Sequence, residues 1–270
     1  MSGIKMIVTD IDGTLVDEGK RVPQRNIDAI KEAKARGIKV CASSTRHWPA
    51  ARNILREAGI TDESVLCNGA VLFDVAKEEA IKRWAIPSIY VDPLLQVGLK
   101  HGSFVNIMGT NCTYMWKESV HPHHSRRGQP ENNASFLMLD TYDDFVEAAQ
   151  RDCNIIFVWT DHENHIPLYA DMCAVGDFMI SAADEDHVYL MARNATKGNA
   201  VSELAKRYGI SPDEVMAVGD SKNDASMLRW AGLGVAMGNG NQLAKDTADV
   251  VTGTNVEGGL GQAIEKYVLV

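Results

Sequence analysis

Residues 10–14 read DIDGT and follow directly on a short apolar run, Ile4 to Thr9, which is rich in β-branched residues. Such a run predicts a buried strand. Because ligands of parallel α/β sheets bind at the carboxyl ends of the strands, Asp10 is predicted to lie where a reacting group is needed. Two carboxylates this close favour a bound cation or one raised pKa, and Gly13 permits a tight turn that a side chain would block. A turn or capping cluster is the alternative that this motif alone leaves open.

A second acidic strand end occurs late in the chain, where GDSKND at residues 219–224 follows the apolar residues 215–218. It supplies two more carboxylates, Asp220 and Asp224. Oxygen ligands of this kind suit Mg²⁺. Each acidic cluster alone is compatible with a helix cap. Two acidic strand ends so far apart in sequence are hard to explain as two independent caps.

Strand and helix signals alternate over residues 1–83 and again over residues 187–270. They include strand-like segments at Ile38–Ala42 and Val188–Met191 and a helix at Thr196–Tyr208. This alternation predicts an α/β fold with a parallel sheet and right-handed crossovers. The two segments are therefore predicted to form one catalytic core.

Residues 84–186 have a different pattern, in which strands with aromatic and thioether side chains alternate with helical stretches. Phe104–Met108 and Phe136–Leu139 are predicted strands, and Pro93–Lys100 is a predicted helix. This pattern predicts a smaller α+β domain inserted into the core. Its polar loop His121–Arg127 is either a solvated loop or a contact for a second anionic group of a substrate.

Two further segments carry candidate phosphate-binding groups. Ser43, Ser44, Thr45 and Arg46 follow the second strand, where hydroxyls and backbone N–H groups can hold phosphate oxygens; a simple helix N-cap is the alternative. Lys197 begins a predicted helix, and cations are favoured at the opposite end of a helix dipole. A lysine at this position makes sense if it faces an anion, and a solvated surface lysine is the alternative.

Taken in order, these motifs resemble those of the haloacid dehalogenase (HAD) superfamily, and more closely those of its Cof-type sugar-phosphate phosphatases. The resemblance covers nearly the whole core and includes NGA at residues 68–70, GLGVAMGN at residues 232–239 and ADVVT at residues 248–252. It implies a Rossmann-like parallel-sheet core, the HAD fold, with a large inserted α/β cap domain that selects the substrate.

The resemblance also implies a role for each site residue. Asp10 would be the nucleophile that forms an aspartyl-phosphate, and Asp12 would protonate the leaving alcohol and then deprotonate the attacking water. The implied cofactor is Mg²⁺. Its expected ligands are Asp10, Asp12 (through the backbone carbonyl), Asp220 and Asp224, and the expected phosphate-binding residues are Ser44, Lys197, Asn223, Ile11 and Thr45.

One position departs from the family pattern. Thr-Gly-Arg is usual where this chain has Ser44, Thr45 and Arg46. If the backbone at Thr45 kept the positive φ that glycine allows, it would be strained. Ser43 is the alternative phosphate-binding hydroxyl if the alignment is shifted by one residue.

The bulk properties narrow the classes of partner. The 270 residues carry a formal net charge of −9, which argues against nucleic acid, because phosphate backbones are held mainly by Lys and Arg. No run approaches the roughly 18 apolar residues of a membrane helix, and no secretory signal is recognised. We therefore expect no membrane partner and a cytoplasmic location. The cysteines include no CxxC pair, which argues against a thiolate zinc site.

The sequence thus predicts a magnesium-dependent phosphomonoester hydrolase of small metabolites, with sugar phosphates favoured. A cofactor phosphate such as pyridoxal phosphate or flavin mononucleotide is the alternative substrate. Two alternatives belong to other classes: a phosphotransferase with an acceptor other than water, and a regulatory protein that binds a phosphorylated ligand without turnover. The presence of both Asp10 and Asp12 argues against the regulatory protein.

Overall fold

The computed structural model of this chain describes residues 3–119, 135–160, 165–184 and 187–270. Its strands, in chain order, are β1 (Met6–Thr9), β2 (Lys39–Ala42), β3 (Ser64–Leu66), β4 (Val71–Asp74), β5 (Glu79–Arg83), β6 (Phe104–Met108), β7 (Thr113–Trp116), β8 (Phe136–Leu139), β9 (Ile155–Trp159), β10 (Phe178–Asp184), β11 (His187–Ala192), β12 (Val215–Gly219), β13 (Leu233–Ala236) and β14 (Val250–Val251). Its α-helices are α1 (Gln24–Ala35), α2 (Trp48–Glu57), α3 (Ser88–Lys100), α4 (Tyr142–Arg151), α5 (His165–Val175), α6 (Lys197–Tyr208), α7 (Ala225–Trp230), α8 (Gln242–Thr247) and α9 (Gly259–Tyr267).

The first of two compact units contains the core sheet. It comprises the residues up to Arg46, Ala51–Lys82 and Thr196–Val270. Its main sheet has the order β14-β13-β12-β1-β2, and every neighbouring pair is parallel. Every residue of β1 and β12 is buried, as expected for the centre of a parallel sheet covered on both faces. The predicted α/β parallel-sheet core is confirmed.

Capping residues set the ends of the core helices. Thr196 caps α6 by accepting the N–H of Asn199 at 3.1 Å, and Gly209 ends this helix in the left-handed conformation, as predicted. Pro23 precedes α1, and Gly37, with φ 81°, follows it. These helix limits therefore follow from signals that the sequence displays.

The second compact unit comprises His47–Ala50 and Arg83–Ala195. Its six-stranded sheet has the order β10-β11-β9-β6-β7-β8, with antiparallel neighbours except for β7 and β8. Helix α3 packs with α4 and α5, and the core includes Leu95, Phe145 and Val158. This mixed architecture agrees with the predicted α+β character of the insertion.

One strand belongs to a different sheet from the one predicted. The segment Val188–Met191, predicted as part of the core, lies in β11 and pairs antiparallel with β9 and β10. A boundary between residues 186 and 187 therefore falls inside this sheet, and the second unit extends to Ala195. The physical reason is that apolar alternation indicates a strand but not the sheet that the strand joins.

Helix α3 starts at Ser88, before the predicted start at Pro93. The prediction placed this proline in the first turn, where it is favoured, but it lies inside the helix, at the cost of one backbone hydrogen bond. Helix α5 and strand β10 have no counterpart in the predicted elements. The loop His121–Arg127 lies outside the described residues.

Two bulk features of the sequence can be compared with the structure. Within the described ranges, no helix combines the length and the apolar character needed to cross a membrane. The cysteines are free thiols, buried at positions 41, 67 and 153, partly exposed at 112 and exposed at 173.

Candidate active site

Three carboxylates converge at the carboxyl edge of the core sheet. Strands β1 and β12 are neighbours, with Thr9 opposite Val218, so Asp10 and the segment that starts at Asp220 leave the sheet side by side. One carboxylate oxygen from each of Asp10, Asp220 and Asp224 lies within 4.8 Å of the others. The two acidic motifs of the sequence therefore meet at one place.

The ammonium group of Lys197 is buried between two of these carboxylates. Its Nζ donates to Asp10 Oδ1 at 2.7 Å and to Asp224 Oδ1 at 2.6 Å, and the residue is 1% exposed. Lys197 is the first residue of α6, where a cation opposes the helix dipole. As its position in the sequence predicts, this lysine faces anions.

Two glycines allow the acidic segments to approach so closely. Gly13 has φ 80°, and a Cβ there would lie 2.4 Å from Asp220 Oδ2. At Gly219, a Cβ would lie 2.5 Å from the Cβ of Asp224. A side chain at either position would displace a carboxylate, which agrees with the predicted need for glycine at position 13.

Asp224 also serves as the cap that the sequence leaves open as an alternative. Its Oδ2 accepts the backbone N–H of Asp220 at 3.0 Å, the backbone N–H of Ser221 at 2.9 Å and the hydroxyl of Ser221 at 3.0 Å. Its other oxygen faces Lys197. The bonds that close the turn therefore also orient Asp224 within the carboxylate cluster.

Burial and crowding favour the protonated form of two of these carboxyl groups. Burial, with repulsion from Asp224 and Asp220, raises the pKa of Asp10 to about 8 against the attraction of Lys197. Burial and Asp224 likewise raise the pKa of Asp220 to about 6, although the hydroxyl of Thr14 donates to it at 3.2 Å. Both shifts arise first from burial, and the neighbouring carboxylates add to them.

This donor set fits a divalent cation such as Mg²⁺. All three groups offer carboxylate oxygens, the type of ligand that Mg²⁺ takes in proteins. When Asp10, Asp220 and Asp224 are all ionised, Lys197 balances one negative charge, and the remainder equals the charge that a divalent ion supplies. The three aspartates would hold the ion.

The side chain of Asp12 lies apart from this cluster and is held by two cations. Its Oδ1 accepts from Lys20 Nζ at 2.6 Å and from Arg46 Nη2 at 2.8 Å, and its Oδ2 accepts from Arg46 Nε at 2.7 Å. Partial burial opposes the charged form, but these hydrogen bonds and charges lower the pKa of Asp12 to about 2. With the side chain so engaged, the predicted metal ligand of Asp12 is its backbone carbonyl.

Several predicted phosphate-binding residues are joined by hydrogen bonds. Asn223 Nδ2 donates to Thr45 Oγ1 at 3.1 Å and to Asn68 Oδ1 at 2.9 Å. Ser44 Oγ accepts the backbone N–H of Arg46 at 3.2 Å. Thr45 is not among the described residues with positive φ, so the strain anticipated from the family pattern is absent.

Ser43 remains the alternative to Ser44. Its N–H donates to the carbonyl of Thr9 at 2.8 Å, as a continuation of β2, and its hydroxyl is buried with no hydrogen-bond partner among the described atoms. Ile11 is buried, and its carbonyl accepts the N–H of Leu15 at 3.0 Å. Phosphate binding by Ser44, Ser43 or Ile11 stays a prediction.

The polar contacts of the site that the sequence analysis did not predict include those of Lys20 and Asn239. Lys20 Nζ donates to Asp12 Oδ1 at 2.6 Å, and Asn239 Nδ2 donates to the carbonyl of Gly13 at 2.8 Å. Asn239 is the last residue of GLGVAMGN at residues 232–239, a motif of the family resemblance, so the sequence did indicate this position. Lys20 stands in a polar stretch where no motif singles it out.

Comparison with known proteins gives a consistent result. The sequence profile of the haloacid dehalogenase-like hydrolases matches residues 7–264. The 5-amino-6-(5-phospho-D-ribitylamino)uracil phosphatase YcsE of Bacillus subtilis is 27% identical over 98% of this chain and 96% of its own length. The pyridoxal phosphate phosphatase YbhA of Escherichia coli is 25% identical over 98% of this chain and 99% of its own. A solved sugar phosphatase of HAD subclass IIB has a TM-score of 0.80 and 26% identity, and the match covers 98% of this chain and 100% of the other.

Proposed function

Since the chain belongs to the haloacid dehalogenase-like hydrolase family and is a phosphatase, we propose that it hydrolyses small phosphorylated metabolites through an aspartyl-phosphate on Asp10, with Mg²⁺ as cofactor. The observation that carries this proposal is the convergence of Asp10, Asp220 and Asp224 around the buried ammonium of Lys197. Phosphoryl transfer depends on positioning and on neutralisation of charge, and this arrangement offers a nucleophile and a cation at one point.

Asp10 attacks phosphorus in the first step. The ester P–O bond breaks, and its electron pair leaves with the alcohol oxygen. Lys197, at 2.7 Å from Asp10 Oδ1, holds a phosphoryl oxygen beside the nucleophile. Bound Mg²⁺ supplies positive charge that favours the ionised form of Asp10 and offsets the charge of the phosphate.

Asp12 moves the protons of both steps. It gives a proton to the leaving alcohol and takes one from the water that attacks the aspartyl-phosphate. With its pKa held at about 2 by Arg46 and Lys20, despite partial burial, it rests as a carboxylate. That is the form the second step requires. For the first step it needs a proton, which it takes from solvent as the anionic substrate binds and which the second step returns to it.

The transferred phosphoryl group is proposed to bind Lys197, Ser44, Thr45, Ile11 and Asn223. Both of the contacts made by the Asn223 Nδ2 group are already with protein atoms, so a phosphate oxygen replaces one of them when it binds. The hydroxyl and amide network thus orders these groups before the substrate arrives.

A sugar phosphate is the substrate that we favour. The names of the relatives refer to a phosphorylated ribitylaminouracil, to pyridoxal phosphate and to sugar phosphates, which are all small phosphorylated compounds. The second compact unit is proposed to select among such leaving groups, as a specificity domain. A cytoplasmic location stays a prediction.

We expect the purified protein to release phosphate from p-nitrophenyl phosphate and from at least one sugar phosphate in the presence of Mg²⁺. Removal of the metal with EDTA should lower both rates by at least about 100-fold, because the ion stabilises charge in the transition state by several kcal/mol. A panel of sugar phosphates, pyridoxal phosphate and flavin mononucleotide, scored by phosphate release, measures both the activity and the substrate class.

Each competing function has a distinct outcome in this panel. Formation of a phosphate isomer without free phosphate would indicate a phosphotransferase. Tight binding of a phosphorylated ligand without turnover would indicate a regulatory protein. Rates that do not change in EDTA would contradict the role of the metal.

Thermal unfolding should report the metal site independently of activity. Asp10 and Asp220 have raised pKa values of about 8 and about 6, so between about pH 4 and pH 8 the folded state holds protons that the unfolded state has lost. The metal-free protein should therefore lose stability as pH rises through this window. Mg²⁺ competes with these protons and should therefore stabilise the protein more at about pH 8 than at about pH 5.5. At 100 times its Kd the stabilisation should be about 2.7 kcal/mol.

The control for this measurement is a pair of Asp to Asn substitutions. Asp220→Asn removes one of the three carboxylates and should abolish the stabilisation by Mg²⁺. Asp246→Asn removes an exposed carboxylate on α8 that pairs with Gln242, and it should leave the stabilisation intact. Equal effects of Mg²⁺ on both variants would contradict binding at the cluster.

A further inference from the structure

Lys20 occupies a backbone conformation that a lysine adopts only at a cost. Its φ is 61°, in the left-handed region that favours glycine. The turn that holds it is closed by the Lys20 N–H on the carbonyl of Asp17 at 3.0 Å and by the Asp17 N–H on the carbonyl of Arg21 at 2.9 Å. Strained residues of this kind concentrate at functional sites, so the lysine side chain is the feature to explain.

The ammonium of Lys20 shares one carboxylate with Arg46. Asp12 Oδ1 accepts from Lys20 Nζ and from Arg46 Nη2, while Asp12 Oδ2 accepts from Arg46 Nε. The side chains of Lys20 and Asp12 are 58% and 40% exposed. A pair this exposed contributes little to stability. The stability gained from this ion pair therefore does not explain the strained backbone of Lys20.

We propose that Lys20 is a positioning residue for proton transfer by Asp12, an inference that rests on the proposed function. Because Oδ1 accepts from two cations and Oδ2 from only one, Oδ1 is the poorer site for a proton, and the carboxylate cannot rotate without breaking these contacts. Oδ2 is therefore the oxygen that carries the proton. In the first step the Oδ2–H bond breaks as the O–H bond of the leaving alcohol forms. In the second step Oδ2 takes a proton from the attacking water, whose oxygen bonds to phosphorus as the bond between phosphorus and Asp10 breaks.

The leaving group distinguishes this role from a structural one. An alkyl ester leaves as a strongly basic alkoxide and needs the proton, whereas p-nitrophenolate is weakly basic and leaves without it. General acid catalysis contributes about 10² to 10⁴-fold where it is needed. A change that mispositions Asp12 should therefore slow the hydrolysis of alkyl phosphate esters more than that of p-nitrophenyl phosphate.

The test compares Lys20→Met, Lys20→Arg and Glu78→Met in the full chain with Mg²⁺. Lys20→Met should lower kcat about 10-fold on the sugar phosphate that the parent hydrolyses fastest, a part of the full general-acid effect, with no more than about a twofold change on p-nitrophenyl phosphate and in KM. Lys20→Arg should restore most of the loss. Glu78→Met is matched because Glu78 has φ 57° and pairs with Arg56 on the surface, and it should leave both rates unchanged.

Several outcomes would overturn the inference. An equal loss on both esters, or the same loss in Glu78→Met, would mean that the turn acts only on the fold. A change confined to KM would mean that Lys20 contacts the substrate, and a rise in kcat would mean that it restrains Asp12. If the parent released no phosphate from any ester, the proposed function itself would fail. An active parent that is inactivated by Asp12→Asn but not affected by Lys20→Met would leave that function standing and reject only the role of Lys20.

Discussion

Asp10→Asn is expected to lower phosphate release by at least about 10⁴-fold, because loss of a catalytic nucleophile removes the covalent route altogether. The same substitution should not unfold the protein. Asparagine has nearly the shape of aspartate, its carbonyl oxygen can still accept from Lys197, and one of three crowded carboxylates is removed. At about pH 8 we expect the metal-free variant to be more stable than the parent, since burial raises the pKa of Asp10 to about 8 and its ionisation opposes folding.

Two measurements check this expectation together. Steady-state phosphate release gives the loss of activity, and urea denaturation gives the free energy of unfolding. Phosphate retained on acid-quenched protein should be found in the parent and absent from the variant. Asp28→Asn, on the exposed side of α1 where Asp28 pairs with Gln24, is the control and should match the parent. Substantial activity in Asp10→Asn would exclude Asp10 as the nucleophile.

The carboxylate cluster can be predicted from the sequence because the geometry of a parallel sheet restricts where its strands end. Asp10 and Asp220 both follow apolar strands, and the carboxyl ends of parallel strands share one edge. The sequence does not show that β1 and β12 are neighbours, yet this pairing places Asp10 beside the segment of Asp220. The family resemblance indicated that the two motifs belong together.

Other features depend on tertiary contacts that no local sequence pattern predicts. The assignment of β11 to the second unit depends on its pairing with β9 and β10, which is a tertiary choice. The ammonium of Lys20 reaches Asp12 from a turn in which Lys20 has a positive φ. A lysine in a polar stretch of sequence does not predict such a φ. The sequence leaves a helix cap and a place in the site as alternative roles for Asp224, but its two carboxylate oxygens allow both.

Lys197→Met is expected to cause the largest loss of stability among these substitutions. The ammonium is 1% exposed and bonds to Asp10 and Asp224, and breaking a buried ion pair from one side costs about 3–5 kcal/mol. The cost should be full at about pH 8 and smaller at about pH 5.5, because a carboxyl whose pKa is already raised can neutralise itself by binding a proton. Denaturation by urea at both pH values, without metal, measures it.

The matched control is Lys82→Met, which removes a lysine that also pairs with a carboxylate. Lys82 lies 2.8 Å from Glu203, but the two side chains are 48% and 36% exposed, and such surface pairs contribute at most about 1 kcal/mol. If burial sets the cost, adding Asp10→Asn to Lys197→Met should restore part of the lost stability, since one unpaired charge is removed with the cation. A loss in Lys197→Met that is the same at both pH values, and that Asp10→Asn does not relieve, would show that packing of the lysine stem, rather than its charge, holds the site together.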